Sequence, residues 1–313
     1  NVVNLINGLY LARYGLGNYI NKENEALASN DEKKIIANLG RAGKRLMGFC
    51  RTNLFKRLES SGFSFLISLA RHVLRNEVFI YALENDLPIP IGLQEKTEMD
   101  EFIEENDNED IGELHLITEE KVYKQLSEKH YERISKEKNR YDWISTKLFD
   151  KNLKDLLISD VNQIISIIKI GKNWNPNDDK QLNALENLCR NEHKIDKILI
   201  FTQFADTAYY LYNNLKNRGI NNIACATGDI DNPTDLAYRF SPVSNKVKDV
   251  KNELRVLIST DVLSEGQNLQ DAHIVVNYDL PWAIIRLIQR AGRVDRIGQT
   301  SDKIVCYSFL PQD

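Results

Sequence analysis

The sequence predicts an α/β protein whose C-terminal part is a parallel sheet flanked by helices, preceded by a mostly α-helical region. Three observations carry this. After Asp179, short apolar runs alternate with amphipathic segments. Before it, apolar residues recur at helical spacing rather than alternating. Between residues 95 and 113 the helical part is interrupted by a stretch of Asp and Glu with Lys96 as its one base.

Residues 1 to 90 read as helices. In the run from Ser64 to Arg75, Phe65, Leu66, Leu69 and Val73 share one face, and Arg71 and Arg75 fall elsewhere. Pro88 and Pro90 are expected to stop regular structure. The acidic stretch reads as a solvated connector rather than a docking site for a basic partner. Residues 118–170 return to helix, with Leu156, Leu157, Val161, Ile164, Ile165 and Ile168 at core spacing. The run GKNWNPNDDK at 171–180 reads as a linker, which divides the chain into a helical region, 1–175, and a second domain, 176–313.

The second domain is expected to open with a helix at 180–189. Strands follow at 197–201, 222–226, 255–259, 272–276 and 303–307, with helices at 205–217, 234–240 and 282–294 between them. Short runs such as KILIF suit strands buried on both faces, and their alternation with helices argues for parallel pairing.

A 313-residue chain with 42% hydrophobic and 27% charged residues is an ordinary soluble composition. The net charge of −4 argues against a uniformly basic nucleic-acid-binding module, although a local basic track suffices for phosphate. Arg41, Lys44, Arg45, Arg51, Lys56 and Arg57 form such a cluster, readable either as a DNA track or as a basic solvent face. Cys50, Cys189, Cys225 and Cys306 make no C-x-x-C pair, so neither a zinc site nor a disulfide framework is expected, and a reducing cytoplasm is. No run reaches the roughly 18 apolar residues of a membrane span. The opening segment lacks the basic region of a signal peptide, and a chain starting on Asn is expected to be a piece of something longer.

The chemistry is concentrated in QRAGRVDRIGQ, residues 289–299. On a helical wheel Ile284, Leu287, Ile288, Ala291 and Val294 fall on one side, expected to pack on the sheet. Arg286, Gln289, Arg293 and Arg296 fall opposite, expected to present cations. Guanidinium groups suit a triphosphate because they are planar, bidentate and permanently charged. Taken alone, the same face reads first as an arginine-rich surface in solvent or in surface ion pairs.

Q-x-x-G-R-x-x-R followed by I-G-Q resembles the last signature motif of superfamily 2 helicases in their Swi/Snf-related form, closest to the RapA-like bacterial branch. Three further segments are similar to that family in the same order: KILIFTQF at 197–204, STDVLSEGQNL at 259–269 and DLPW at 279–282. FKRLESS at 55–61 and DKQLNAL at 179–185 resemble its lobe-linking and lobe-entry segments. The resemblance implies a second RecA-like lobe with Arg293 and Arg296 as arginine fingers and with Gln289, Asp261, Glu265 and Gly266 at the nucleotide. It implies Thr260, Asn268 and Gln203 at the nucleic-acid backbone, and Trp282 as a packing residue. No G-x-x-x-x-G-K-[ST] loop is present, since GRAGKR at 40–45 has the wrong spacing. ATP and Mg²⁺ are therefore expected mainly on a first lobe outside this chain, and this chain alone is expected to hydrolyse nothing. Duplex DNA is the expected track, with RNA as an alternative, and the protein is expected to be monomeric. A non-catalytic scaffold module is the competing reading. A dinucleotide-binding metabolic enzyme would want G-x-G-x-x-G after a first strand, which is absent.

Overall fold

The computed structural model describes residues 2–92, 117–136, 140–228, 232–264 and 268–310; the acidic stretch at 95–113 lies outside them. The described residues fall into two units. One comprises 2–58, 65–92 and 117–173, the other 59–64 and 174–310.

The first unit is built from α1 (Val2–Gly8), α2 (Asn30–Ser60), α3 (Gly62–Glu84), α4 (Glu120–Lys136) and α5 (Asn152–Gly171). The start of α2 is fixed by a reciprocal capping box. The Glu32 amide donates to Ser29 Oγ at 3.2 Å, and the Ser29 amide donates to Glu32 Oε2 at 2.9 Å. Phe65, Leu66, Leu69 and Val73 of α3 are buried, as are Leu157, Val161, Ile164, Ile165 and Ile168 of α5; Leu156 is only partly covered. Each fully buried aliphatic side chain contributes about 1.5–3 kcal/mol. Asp160 is buried in this apolar face of α5. It accepts the amides of Tyr10 at 2.7 Å and Ala12 at 3.3 Å, which clamp the chain on either side of Leu11, whose φ is 54°.

One expectation fails here. Pro88 and Pro90 do not end regular structure: β1 (Ile89–Gly92) pairs antiparallel with β2 (Tyr141–Ile144), with Pro90 opposite Trp143. In a two-stranded ribbon each strand has an outer edge, where a residue without an N–H costs no ladder bond. The period-2 signal in four residues is too short to stand out beside two prolines.

The second unit opens with α6 (Lys180–Asn187). Asp179 caps it, its Oδ1 accepting the amides of Gln181 and Leu182, both at 3.0 Å. Then follow β3 (Ile198–Phe201), α7 (Ala205–Asn217), β4 (Ile223–Ala226), α8 (Pro233–Phe240), β5 (Val256–Ser259), β6 (Ile274–Asn277), α9 (Ile284–Ala291) and β7 (Val305–Ser308). The strands form one parallel sheet in the order β4-β5-β3-β6-β7. Every residue of β3, β5 and β6 is buried, so these runs have no polar face to alternate. Ile198, Ile200, Val256, Ile258, Ile274 and Val276 pack into a core on one side, Leu199, Phe201, Leu257 and Val275 into a core on the other. The predicted strands and helices are present with shifts of one or two residues at their ends. The exception is α9, which stops at Ala291 and gives way to turns. Among the described residues, no helix is long and apolar enough to cross a membrane.

Candidate functional site

In a parallel sheet all strands end on the same side, and that is where the polar residues of this unit gather. Thr202 and Gln203 follow β3, Thr227 follows β4, Thr260 and Asp261 follow β5, and Asp279 follows β6. Asp279 is buried and organises one half of this edge. Its Oδ2 accepts from Thr202 Oγ1 at 2.5 Å and Ser60 Oγ at 2.7 Å, while Oδ1 accepts the Gln203 amide at 2.8 Å. Burial raises its pKa, opposed by the nearby Arg290 charge and by these hydrogen bonds. Ser60 also lies 2.9 Å from Thr207 Oγ1. The ESS of the 55–61 segment is thus built into the C-terminal unit, to which residues 59–64 belong. Gln203 Oε1 is buried without a hydrogen-bond partner among the described residues.

The other half is organised by Arg290, a cation that is only 1% exposed. Its Nε donates to Asp261 Oδ1 at 2.8 Å, its Nη2 to Asp261 Oδ2 at 3.3 Å and its Nη1 to Asn277 Oδ1 at 3.3 Å. Its guanidinium lies 5.2 Å from the centre of the Phe201 ring. One side chain thereby ties α9 to the ends of β3, β5 and β6. Arg286, one turn earlier, adds a bond from Nη1 to Asp261 Oδ2 at 3.2 Å.

This pairing overturns the helical-wheel expectation. Arg286 faces the sheet. Ile284, Ile285 and Ile288 are 76%, 55% and 64% exposed, and Gln289 is exposed beside them. The buried face is rotated roughly a quarter-turn from the one predicted, keeping Val294 and exchanging isoleucines for Arg290. The wheel sorts side chains into faces but says nothing of a carboxylate waiting at a strand end. A buried, bidentate Arg–Asp pair then decides which face goes inward. Trp282 is 40% exposed.

Arg293 and Arg296 lie beyond the end of α9, in the turns at 292–299. Arg293 is partly buried, and its amide donates to the Arg290 carbonyl at 3.2 Å. Arg296 donates from Nε to the Gly292 carbonyl at 3.1 Å and from Nη1 to Asn268 Oδ1 at 3.2 Å. The turn is locked by the glutamines of I-G-Q and of the 268–272 loop. Gln299 Nε2 donates to the carbonyls of Gln270 and Ala272 at 3.0 Å and of Val294 at 2.9 Å, and Gln270 Nε2 donates to the Ile297 carbonyl at 3.0 Å. Gly298 sits at φ 103°, a conformation that favours glycine. An open cleft of about 610 Å³ is lined by Asn268, Gln270, Asp295, Arg296 and Ile297.

Of the residues singled out from sequence, the structure joins Arg296 to Asn268, and Asp261 to Arg286 and Arg290. Thr260 is buried, its amide bonded to the Ala226 carbonyl at 3.0 Å. Gln289 stands apart on the exposed face of α9, and Glu265 and Gly266 lie outside the described residues. Arg290 and Ser60 were not singled out. Arg286 and Arg290 are four residues apart, which is a readable signal, because two cations on one helical face invite a search for a facing carboxylate.

A parallel sheet with polar and charged residues concentrated at its strand ends is the arrangement of open α/β folds, whose ligands bind at that edge. Residues 180–298 match the helicase conserved C-terminal domain. The uncharacterized ATP-dependent helicase YqhH of Bacillus subtilis (strain 168) is 37% identical over 108 residues, 34% of this chain and 18% of the relative. RapA, an RNA polymerase-associated protein of Vibrio campbellii (strain ATCC BAA-1116), is 35% identical over 120 residues, 38% of this chain and 12% of the relative. The ATP-dependent RNA helicase ddx46 of Dictyostelium discoideum is 29% identical over 160 residues, 51% of this chain and 12% of the relative. Each match takes in less than a fifth of the relative's length. The second unit of this chain thus carries a match to the helicase conserved C-terminal domain and is similar to the C-terminal lobe of superfamily 2 helicases.

Proposed function

We propose that this lobe is half of the ATP site of a longer nucleic-acid motor of the Swi/Snf-related, RapA-like kind. ATP is held mainly by a first RecA-like lobe. This lobe closes over it and brings Arg293 and Arg296 to the γ-phosphate, with Gln289, Asp261, Glu265 and Gly266 along the nucleotide-facing edge. Thr260, Asn268 and Gln203 take the nucleic-acid backbone. The observation that carries the reading is the locked turn at 292–299, which holds Arg296 on Asn268 beside an open cleft.

A guanidinium brought to the γ-phosphate stabilises the charge that develops there, an effect of about 10³-fold or more in rate. The Arg296–Asn268 bond also supplies a coupling. When Arg296 turns to the γ-phosphate it releases the Asn268 side chain to the nucleic-acid backbone, so each ligand favours the other. As a water oxygen bonds to the γ-phosphorus and the bridging P–O bond to ADP breaks, the charge holding Arg296 departs and the pair re-forms. This reading assigns Mg²⁺ to ATP on the first lobe.

Duplex DNA is the track this reading favours, since the DRIGQ and DLPW wording is that of the Swi/Snf-related branch. The test is ATP turnover of the natural full-length protein with duplex DNA, single-stranded DNA and RNA. Stimulation by duplex DNA is expected, and lost on Arg296→Ala. Stimulation by RNA alone would move the assignment to an RNA helicase, and turnover indifferent to both nucleic acid and Arg296 would remove the motor reading.

A further inference from the structure

The turn that carries Arg296 is fastened in two steps, and the second lies outside the site itself. Asn268 bonds Arg296, and Gln270 and Gln299 tie the turn at 292–299 to the 268–272 loop, so the placement of Arg296 depends on that loop. The loop is held in its turn by the segment that follows α8. After Phe240 the chain folds back on itself. The Asn245 amide donates to the Ser241 carbonyl at 3.2 Å, and the Val247 amide to the Pro242 carbonyl at 2.9 Å. The Asn245 side chain bridges outward from this turn, its Nδ2 donating to the Ser241 carbonyl at 2.7 Å and to the Asn268 carbonyl at 2.8 Å. A primary amide has two N–H groups, so both are used and the side chain has one orientation. Asp271 adds a second fastening, accepting the amides of Val243 and Ser244, both at 2.8 Å. Leu269, between the two fastenings, is fully buried.

The two fastenings act on different atoms. Asp271 secures the backbone of the turn after α8, whereas Asn245 reaches the residue whose side chain meets Arg296. Asn268 thus has its carbonyl on Asn245 and its Oδ1 on Arg296. A fixed carbonyl fixes the direction in which the side chain leaves the backbone. Groups that must meet a ligand depend on such support, because a misplacement of about 1 Å can cost about 10²-fold in rate. Asn245 lies in none of the motif-like segments of the sequence, and its role rests on this pairing across 23 positions.

We propose that Asn245 is a positioning residue. Through the Asn268 carbonyl it aims the Asn268 side chain, which alternates between Arg296 and the nucleic-acid backbone. This rests on the ATP-site reading and adds that the turn after α8 sets how strongly nucleotide and nucleic acid favour each other.

The geometric half is tested on the whole 313-residue chain, by phenylglyoxal labelling of arginines read by mass spectrometry. Asn245→Asp keeps the size and sets a carboxylate against two carbonyls; Asn245→Ala removes the side chain. Each should speed labelling of Arg296 about fivefold, the weight of one neutral hydrogen bond, and leave the buried Arg290 slow. An unchanged Arg296 rate in both variants overturns the proposal, as does an equal rise at Arg290, which would mark general loosening.

The functional half is ATP turnover of the natural full-length protein, without nucleic acid and with duplex DNA or RNA, whichever stimulates the wild type. Asn245→Ala should cut the stimulation about tenfold and leave unstimulated turnover near wild type. In an Asn268→Ala background it should cut the stimulation no further, because it acts through that side chain. Equal falls with and without nucleic acid, or additive falls in the two variants, overturn the role. Arg296→Ala in the same assay separates the two levels. Turnover lost there beside full stimulation in Asn245→Ala overturns the positioning role alone, and turnover kept there removes the ATP-site reading and this role with it.

Discussion

The chain uses buried arginine in two places and to opposite ends. Around Arg290 the guanidinium meets a carboxylate, an amide oxygen and an aromatic face, and its charge is consumed inside the protein. Around Tyr14 and His72 the Arg13 guanidinium meets a phenol beside an imidazole and a thiol, and the charges acting there on the imidazole are guanidinium. A cation paired with its own carboxylate fixes an element in place, whereas burial and the cations around an imidazole hold that ring in its neutral form. The same contrast runs along one segment of the helicase lobe. Arg290 fixes α9 to the sheet, and Arg296, six residues on, bonds the Gly292 carbonyl and Asn268 Oδ1 at the edge of a cleft.

The contrast breaks first if Arg290 proves dispensable. Arg290→Met should destabilise the lobe by about 3 kcal/mol, because Asp261 keeps only the partly exposed Arg286 and the buried Asn277 Oδ1 loses the Arg290 bond. A loss under 1 kcal/mol in denaturant melts would mean that the pair is ornamental. Asp279→Ala should cost less, about 2 kcal/mol, by orphaning the Gln203 amide and the Thr202 hydroxyl while Ser60 keeps Thr207.

The helical unit offers a pH test. His72 has its folded pKa lowered below the ordinary value of 6.5, so the unfolded chain binds its proton more readily. The stability tied to His72 is present above pH 6.5 and is lost as pH falls below it. His72→Gln should flatten that part of the stability–pH curve, and an unchanged curve would show that the arginine field does not reach the ring. The smallest effect sharpens the account of α9. Ile288→Ser, on the exposed face, should change stability by less than about 0.5 kcal/mol, while Val294→Ala, fully buried, should cost about 1 kcal/mol or more.

Much of the lobe was legible because its strands are short runs buried on both faces, between helices of clear period. Residues 205–217 were readable as a helix to the residue, and β3, β5 and β6 within one or two. The β1–β2 ribbon was not, since two prolines outweigh a four-residue alternation. In the site, motif wording pointed to Arg293, Arg296 and Asn268 without geometry. It could not say that Arg290 would displace isoleucine from the sheet, because that depends on where the turn after β5 delivers Asp261. Nor could it say that Ser60 would reach Asp279, a contact between residues 219 positions apart. Periodicity reports burial along one element, and side-chain pairing between elements has no local signature.

The central claim is that Arg290 builds the edge and Arg296 acts from it. Melting temperature and ATP turnover of the natural full-length protein, measured side by side for Arg296→Ala, test it most directly. The account predicts a melting temperature within a degree or two of wild type, retained nucleotide affinity and turnover reduced by about 10³-fold or more. Unchanged turnover, or a loss that merely follows a fall in melting temperature, would contradict it.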